Sequence, residues 1–341
     1  MARVALACHF AALAFLGTTT AFAQRQVVDP DYDTRVARPA YTTQHPAVLF
    51  DEAHQNFHRA DGLYQPFVSL ITNDGCKVAV NKKPFTKEIL GPHQVLVIAN
   101  AQGGPGSGPE AASAAFSAAE CQAVDAWIRE GGSLLLITDH YPWGAAAQPL
   151  AKRLGVGMSQ GQTVDAQNAY PNAAAQLIFA RENDLLGDHP IVWGRGPIEQ
   201  RNRVVTYSGQ SLLGPRGSVA FLRLADTAMD RSFVDNAFVP AAGRAQGIAL
   251  FHGKGRVVVL GEAGVLSAQF MKDGTPFGMN VEGTDNRQLA LNIMHWLSGL
   301  IPADRRATAR RSGTARRSSA ARRQKSGGSK PGNAQDSAPP R

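Results

Sequence analysis

Between Asp51 and His58 the chain sets Asp51, Glu52, His54, Asn56 and His58 directly after the apolar run "AVLF". Other apolar runs end in Asn100, in Asp139-His140 and in Glu262. Carboxylates, imidazoles and amides of this kind open two chemistries. The first is metal binding. His54, His58, Asp51 and His140 offer nitrogen and oxygen ligands that suit zinc or a similar divalent ion. The spacing is His-x-x-x-His with an upstream Asp, and it lacks the Glu of H-E-x-x-H. The second is acid–base catalysis without metal by Asp51, His54, Asp139, His140 and Glu262. Imidazole titrates near neutrality, and burial can lift carboxyls toward the same range. Asn56, Asn100 and Trp143 are the candidate ligand contacts around them. A structural reading stays open beside both. In it Asp51 caps the following turn, His54 bonds backbone and Asp139 caps the next helix.

The elements that must position these residues read as alternating strands and helices. "AVLF" is a short strand. In "GLYQPFVSLITNDG", Tyr64, Phe67, Val68 and Ile71 fall at helical spacing, and Asn73-Asp74-Gly75 stops the helix. "CKVAVNK" and "QVLVIANA" are the next strands. "SAAECQAVDAWIREGG" is a helix opened by a Ser117/Glu120 capping box and closed by Gly131-Gly132. "SLLLITDH" is a strand, followed by the helix "GAAAQPLAKRLGV". Continuous apolar strands between helices predict a doubly wound, mainly parallel sheet covered on both faces. Ligands of such sheets bind beyond the carboxyl ends of the strands. Those are the ends where Asp51, Asn100, Asp139 and Glu262 fall. After Gly155 the pattern weakens. "LIFARENDLLGDHPIVWGRG" reads as loop and short helix, with "GDHP" a turn around His189. "QGIALFHGKGRVVVLGEAG" reads as a hairpin turning at Gly253-Lys254-Gly255, and "TDNRQLALNIMHWLSGLI" as a closing amphipathic helix.

The ends of the chain differ from its middle. Residues 1–23 read as a secretory signal: Arg3, an apolar segment from Val4 to Leu16, and a small-residue cleavage site at Ala21-Phe22-Ala23. A periplasmic or secreted protein is expected, with no membrane-spanning helix after cleavage. Cys76 and Cys121 would then remain, and an oxidising compartment permits a disulfide between them. Residues 24–46 form an extended, proline-bearing lead-in, residues 47–302 one domain, and residues 303–341 a disordered tail. The chain's formal charge of +8 is carried by residues 304–341, which hold eleven Lys/Arg against two Asp, so the rest is close to neutral. The tail is expected either to contact polyanions without specificity or to act only as a solubilising segment.

At "DEAHQNFHRADGLYQPF", "SLLLITDH", "GKGRVVVLGEAG" and "DNRQLALNIMHWLSGL" the chain resembles a family of exported bacterial proteins. That family looks like a branch of the class I glutamine-amidotransferase-like superfamily, near the ThuA-type and GldG-type domains. The resemblance covers most of residues 45–300. It implies an α/β, flavodoxin-like three-layer sandwich and attaches no reaction to it. Amidotransferases of the superfamily carry a nucleophilic Cys after a central strand, where this chain has Asp139-His140. A thiol glutaminase is therefore not expected. Two functions follow as expectations. One is a hydrolase of an amide, ester or glycan, with or without metal assistance. The other is a non-catalytic domain of the cell envelope that binds a small-molecule or glycan ligand or serves as a scaffold.

Overall fold

The apolar runs "VLVIA" and "SLLLI" become fully buried strands, because burial on both faces suits unbroken apolar sequence. The structure, a computed structural model, describes residues 26–303. The expected signal segment at 1–23 lies outside the described residues, as does the basic tail beyond residue 303. The elements in chain order are β1 (Ala47–Asp51), α1 (Gln65–Asn73), β2 (Lys77–Asn81), β3 (Val95–Ala99), α2 (Ala118–Glu130), β4 (Ser133–Ile137) and α3 (Trp143–Arg153). They continue with β5 (Gly157–Met158), β6 (Leu212–Leu213), β7 (Val219–Arg223), β8 (Ala245–His252), β9 (Gly255–Leu260) and α4 (Asn286–Leu297).

One nine-stranded sheet holds the fold, in the order β2-β1-β3-β4-β9-β8-β6-β5, with β7 also paired to β8. From β2 to β9 the neighbours run parallel. From β9 outward every pairing is antiparallel. The expected mainly parallel sheet is thus corrected to a mixed one. A tight turn at Gly253–Lys254 reverses the chain between β8 and β9, and β6 and β7 then pair antiparallel with β8, as β5 does with β6.

Side chains alternate along each strand and fill two cores. Val48, Phe50, Val97, Leu135, Ile137 and Val258 pack on one face with α1 and α4. Leu49, Leu96, Ile98, Leu134, Leu136 and Val257 pack on the other with α2 and α3. Each such residue stabilises the fold by roughly 1.5–3 kcal/mol on leaving water. Cys76 belongs to the first core and Cys121 to the second, and both thiols are free. Opposite layers of the sheet separate them, so the disulfide that export permits is not formed.

The lead-in is held against the domain. Val27–Val28 pairs with Ala268–Phe270, and Tyr41 is buried with its hydroxyl 2.6 Å from Ser298 Oγ. Gly75, at φ +103°, lets this segment cross the end of α1, because a Cβ there would strike the Tyr41 carbonyl.

Residues 162–180 depart most from the sequence reading. Ala173–Ala180 is a strand between Ala169–Tyr170 and Arg203–Val205, and Gln162–Val164 joins a second small sheet with Met229–Arg231 and Phe238–Pro240. These strands hold much Ala, Gln and Thr and are mostly half-buried. They lack the period-two hydrophobicity that reveals a strand. His189 takes the turn position expected of it, accepting the Ile191 N–H at 3.2 Å to cap the short helix Pro190–Trp193.

Candidate functional site

The carboxyl ends of β1, β3, β4 and β9 form one edge and present two separate clusters. The first is built on β1. Asp51 ends the strand, and its Oδ1 accepts the Ala53 N–H at 3.2 Å, which turns the chain. That turn returns His54 to Asp51, with Nδ1 2.8 Å from Oδ2. Nε2 of the same ring lies 2.8 Å from Glu120 Oε1. Carboxylates only accept, so both ring nitrogens donate and the imidazole is held as a cation. Burial pulls the His54 pKa down, but the bonds and charges of Asp51 and Glu120 lift it above the ordinary value. Burial raises Glu120, and the bonds from His54, Ser117 and Phe85 outweigh it and bring the carboxyl down to about 2. Phe85 and Phe116 enclose the ring, each with centroids 4.7 Å away. Asn56 donates to Asp51 Oδ2 at 3.1 Å. The cluster ties the end of β1 to the capping box of α2 and uses every hydrogen-bonding position of the imidazole.

The second cluster is built on register. Ile137 of β4 pairs with Leu260 of β9. Asp139 and Glu262 each lie two residues beyond that pair, so both carboxyls emerge at the same level of neighbouring strands. Glu262 Oε1 accepts the Gly264 N–H at 2.6 Å and Oε2 the Val265 N–H at 2.8 Å. Asp139 Oδ1 accepts the His140 N–H at 2.8 Å, and Oδ2 reaches Ala263 N–H at 3.4 Å. Burial pushes Asp139 up to about 7. Burial and then the Asp139 charge push Glu262 up to about 8. Two carboxyls this close to each other and this far from water hold a proton near neutrality.

Around the pair stand side chains without hydrogen-bond partners. Asn100 follows β3 at φ 46°, and both atoms of its side-chain amide are buried and unpartnered among the described residues. So are His58 Nδ1 and Trp143 Nε1. Buried polar groups of this kind commonly meet an ordered water or a bound group, and Tyr32, Gln246, Gln269, His295 and Trp296 hold such atoms elsewhere among the described residues. Burial drives His58 down to about 3, so its ring is neutral. His140 is also lowered by burial. Its Nδ1 donates to the Tyr141 carbonyl at 2.7 Å, and its Nε2 is 3.7 Å from Asp139 Oδ1. Tyr64 donates its hydroxyl to the Ala263 carbonyl at 2.6 Å. A continuous file of rings crosses the edge from Tyr64 through His58, Phe57, Trp143 and His140 to Phe233, with successive centroids 4.7, 5.1, 5.3, 5.5 and 4.7 Å apart.

The edge therefore gathers Asp139, His140, Glu262, His58, Asn100 and Trp143, and sets Asp51, His54 and Asn56 apart. β1 and β9 are three strand spacings from each other, roughly 14 Å at about 4.8 Å per strand. The metal set of His54, His58, Asp51 and His140 is not assembled. Among the described residues no group of three or more His, Cys, Asp or Glu side chains is arranged to hold a metal ion. Asp51 and His54 spend their polar atoms on each other, on Asn56 and on Glu120. Glu120, Tyr64 and Phe233 are parts of the edge that the sequence reading did not assign to it. Phe233 carried one signal: it stands with Val234 as an apolar pair inside the polar turn "DRSFVDN". Neither thiol is at the edge, and burial pushes Cys76 up to about 12 and Cys121 upward.

No protein-family model matches the chain, and no curated protein matches it. Solved structures do. The mmIFT52 N-terminal domain superposes with a TM-score of 0.52 at 16% identity, over 74% of this chain and 97% of that one. A putative ThuA-like protein from Bacteroides uniformis superposes with a TM-score of 0.40 at 14% identity, over 76% of this chain and 94% of that one. One from Parabacteroides merdae does so with a TM-score of 0.41 at 11% identity, over 75% and 90%. At such identities the likeness is one of α/β fold alone.

Proposed function

We propose that the protein is a hydrolase of an amide, ester or glycosidic bond, working by acid–base catalysis at the edge where β4 and β9 end. The buried Asp139–Glu262 pair carries this reading. A general acid must hold its proton at working pH, and the pair is lifted into that range. Asp139 is the proton carrier, being the more exposed of the two. Glu262 is its positioning partner, clamped by two backbone N–H groups. Asn100, His58 and Trp143 orient the bound group. Asp51, His54 and Asn56 support the edge from a distance. Burial of both thiols argues against a cysteine nucleophile. In the same reading the chain is a flavodoxin-like three-layer sandwich of the amidotransferase type, with β8 and β9 as its C-terminal hairpin. It acts outside the cytoplasm, and the basic residues 304–341 contact polyanions without specificity. Among the described residues no helix is long and apolar enough to cross a membrane.

The test is turnover of a panel of chromogenic esters, amides and glycosides by the full chain and by Asp139→Asn and Glu262→Gln. The proposal expects activity that falls as pH rises through about 7, and a loss of roughly 100-fold or more in Asp139→Asn. Activity unchanged by both substitutions would overturn it. A second reading, a binding domain without catalysis, is favoured by one observation: carboxylates close both nitrogens of His54, leaving that imidazole no free position to act as a base. It predicts ligand binding that depends on Asn100 and no turnover by any form of the protein.

A further inference from the structure

Beyond the carboxyl pair, Phe233 is the last member of the ring file and also the first wall of a cavity of about 550 Å³. That volume suits a small organic ligand. Phe233, Val234 and Val239 belong to the turn and return strand after Met229–Arg231, and they are 48%, 94% and 58% exposed. Three large apolar side chains held open around a concave space are costly in water unless something covers them. Arg244 stands in the lining with them. Its Nε donates to Ser211 Oγ at 2.5 Å and its Nη2 to the Ser211 carbonyl at 3.3 Å, while Nη1 has no hydrogen-bond partner among the described residues. Asp230 pairs with the guanidinium on its Nε side at 3.9 Å, and also accepts from Ser211 Oγ at 2.5 Å and Thr163 Oγ1 at 2.7 Å, so the Nη1 edge is the part of Arg244 left for a ligand.

We infer that this cavity binds a small amphipathic anion: an aryl or acyl body lying against Phe233, Val234 and Val239, with an anionic oxygen on Arg244. The tilted contact of His140 with Phe233, with ring centroids 4.7 Å apart, joins the cavity to the carboxyl pair, so the bound body is the part of the substrate that selects it. The inference rests on the proposed site for that last role only. Its test reads binding, so failure of the hydrolase reading leaves it standing.

The experiment is fluorescence titration of the full chain with two probes of one aryl body, 8-anilinonaphthalene-1-sulfonate and uncharged N-phenyl-1-naphthylamine. Saturable binding of one sulfonate probe per chain is expected, tighter than that of the uncharged probe. Arg244→Gln should weaken the sulfonate by roughly tenfold or more and abolish the preference. Val234→Asp, at a position 94% exposed and so harmless to folding, should weaken the sulfonate as well. Phe251→Ser, at the far end of β8, should leave both affinities within about twofold. The inference is overturned if the sulfonate does not saturate, if both probes bind alike, or if Arg244→Gln and Val234→Asp bind as the wild type does. It is equally overturned if Phe251→Ser, with a native near-ultraviolet dichroism spectrum, weakens binding as much as they do.

Discussion

Asp139 and Glu262 lie at matched heights on neighbouring parallel strands, two residues beyond the Ile137–Leu260 pair. This register, rather than any local motif, brings together two carboxyls that are 123 positions apart in the chain. Burial of both groups, and the Asp139 charge beside Glu262, then make the pair hold a proton that isolated carboxyls would lose.

Stability should carry the mark of that proton. In the unfolded chain these groups titrate in the ordinary carboxyl range, near 3.8 and 4.5. In the folded chain they titrate near 7 and 8. The folded state therefore binds more protons across that window. Their contribution is fully present below the ordinary range and is lost as pH rises through the folded values, at about 1.4 kcal/mol per pH unit for each retained proton. Asp139→Asn should flatten the decline and be more stable than wild type at pH 9, by about 1–3 kcal/mol. Denaturant melts at pH 6 and pH 9 check this. An unchanged pH slope would contradict it.

Asn100 should behave as a residue kept for binding rather than for folding. Its backbone is left-handed, and its amide is buried without partners. Asn100→Gly relieves the first condition and removes the second. The variant should melt no lower than wild type and lose affinity for ligands that saturate the native site. A loss of more than about 2 kcal/mol would give the amide a structural role instead.

The His54 cluster should show the opposite pattern. His54→Ala leaves Asp51 buried without its cation and should cost about 3–5 kcal/mol. The raised His54 contributes stability below its unfolded value and loses it as pH rises through the folded one. The lowered Glu120 contributes above about 4.5 and loses it as pH falls toward 2. Glu120→Gln should therefore flatten the acid limb of the stability curve. Chemical denaturation of both variants across pH tests the assignment, and a neutral His54→Ala would refute it.

Cys76 and Cys121 should both alkylate in unfolded, unreduced protein, because they sit in cores on opposite faces of the sheet. Mass spectrometry showing the two joined would contradict the layer assignment.

Much of this could be read from residue types. The unbroken "VLVIA" and "SLLLI" runs announced buried strands, Ser117 and Glu120 announced a helix start, and polar residues after four apolar runs marked the carboxyl ends of strands in one sheet. Pairing across the fold could not be read. Nothing near His54 discloses that Glu120, 66 residues on, closes its second nitrogen. Asp51 and Asp139 look equivalent in sequence, yet one is neutralised by an imidazole while the other is left beside a second acid. Only the order of strands in the sheet separates those cases. The strands between 162 and 180 were hidden because alanine and glutamine on half-buried strands leave no periodic trace.

The most direct test is carbon NMR of the side-chain carboxyls of Asp139 and Glu262 across a pH titration. The expected result is two coupled midpoints near 7 and 8, with Glu262 moving down when Asp139 is replaced by Asn. Two independent midpoints in the ordinary range near 4 would contradict the claim that these strand ends store a proton for chemistry.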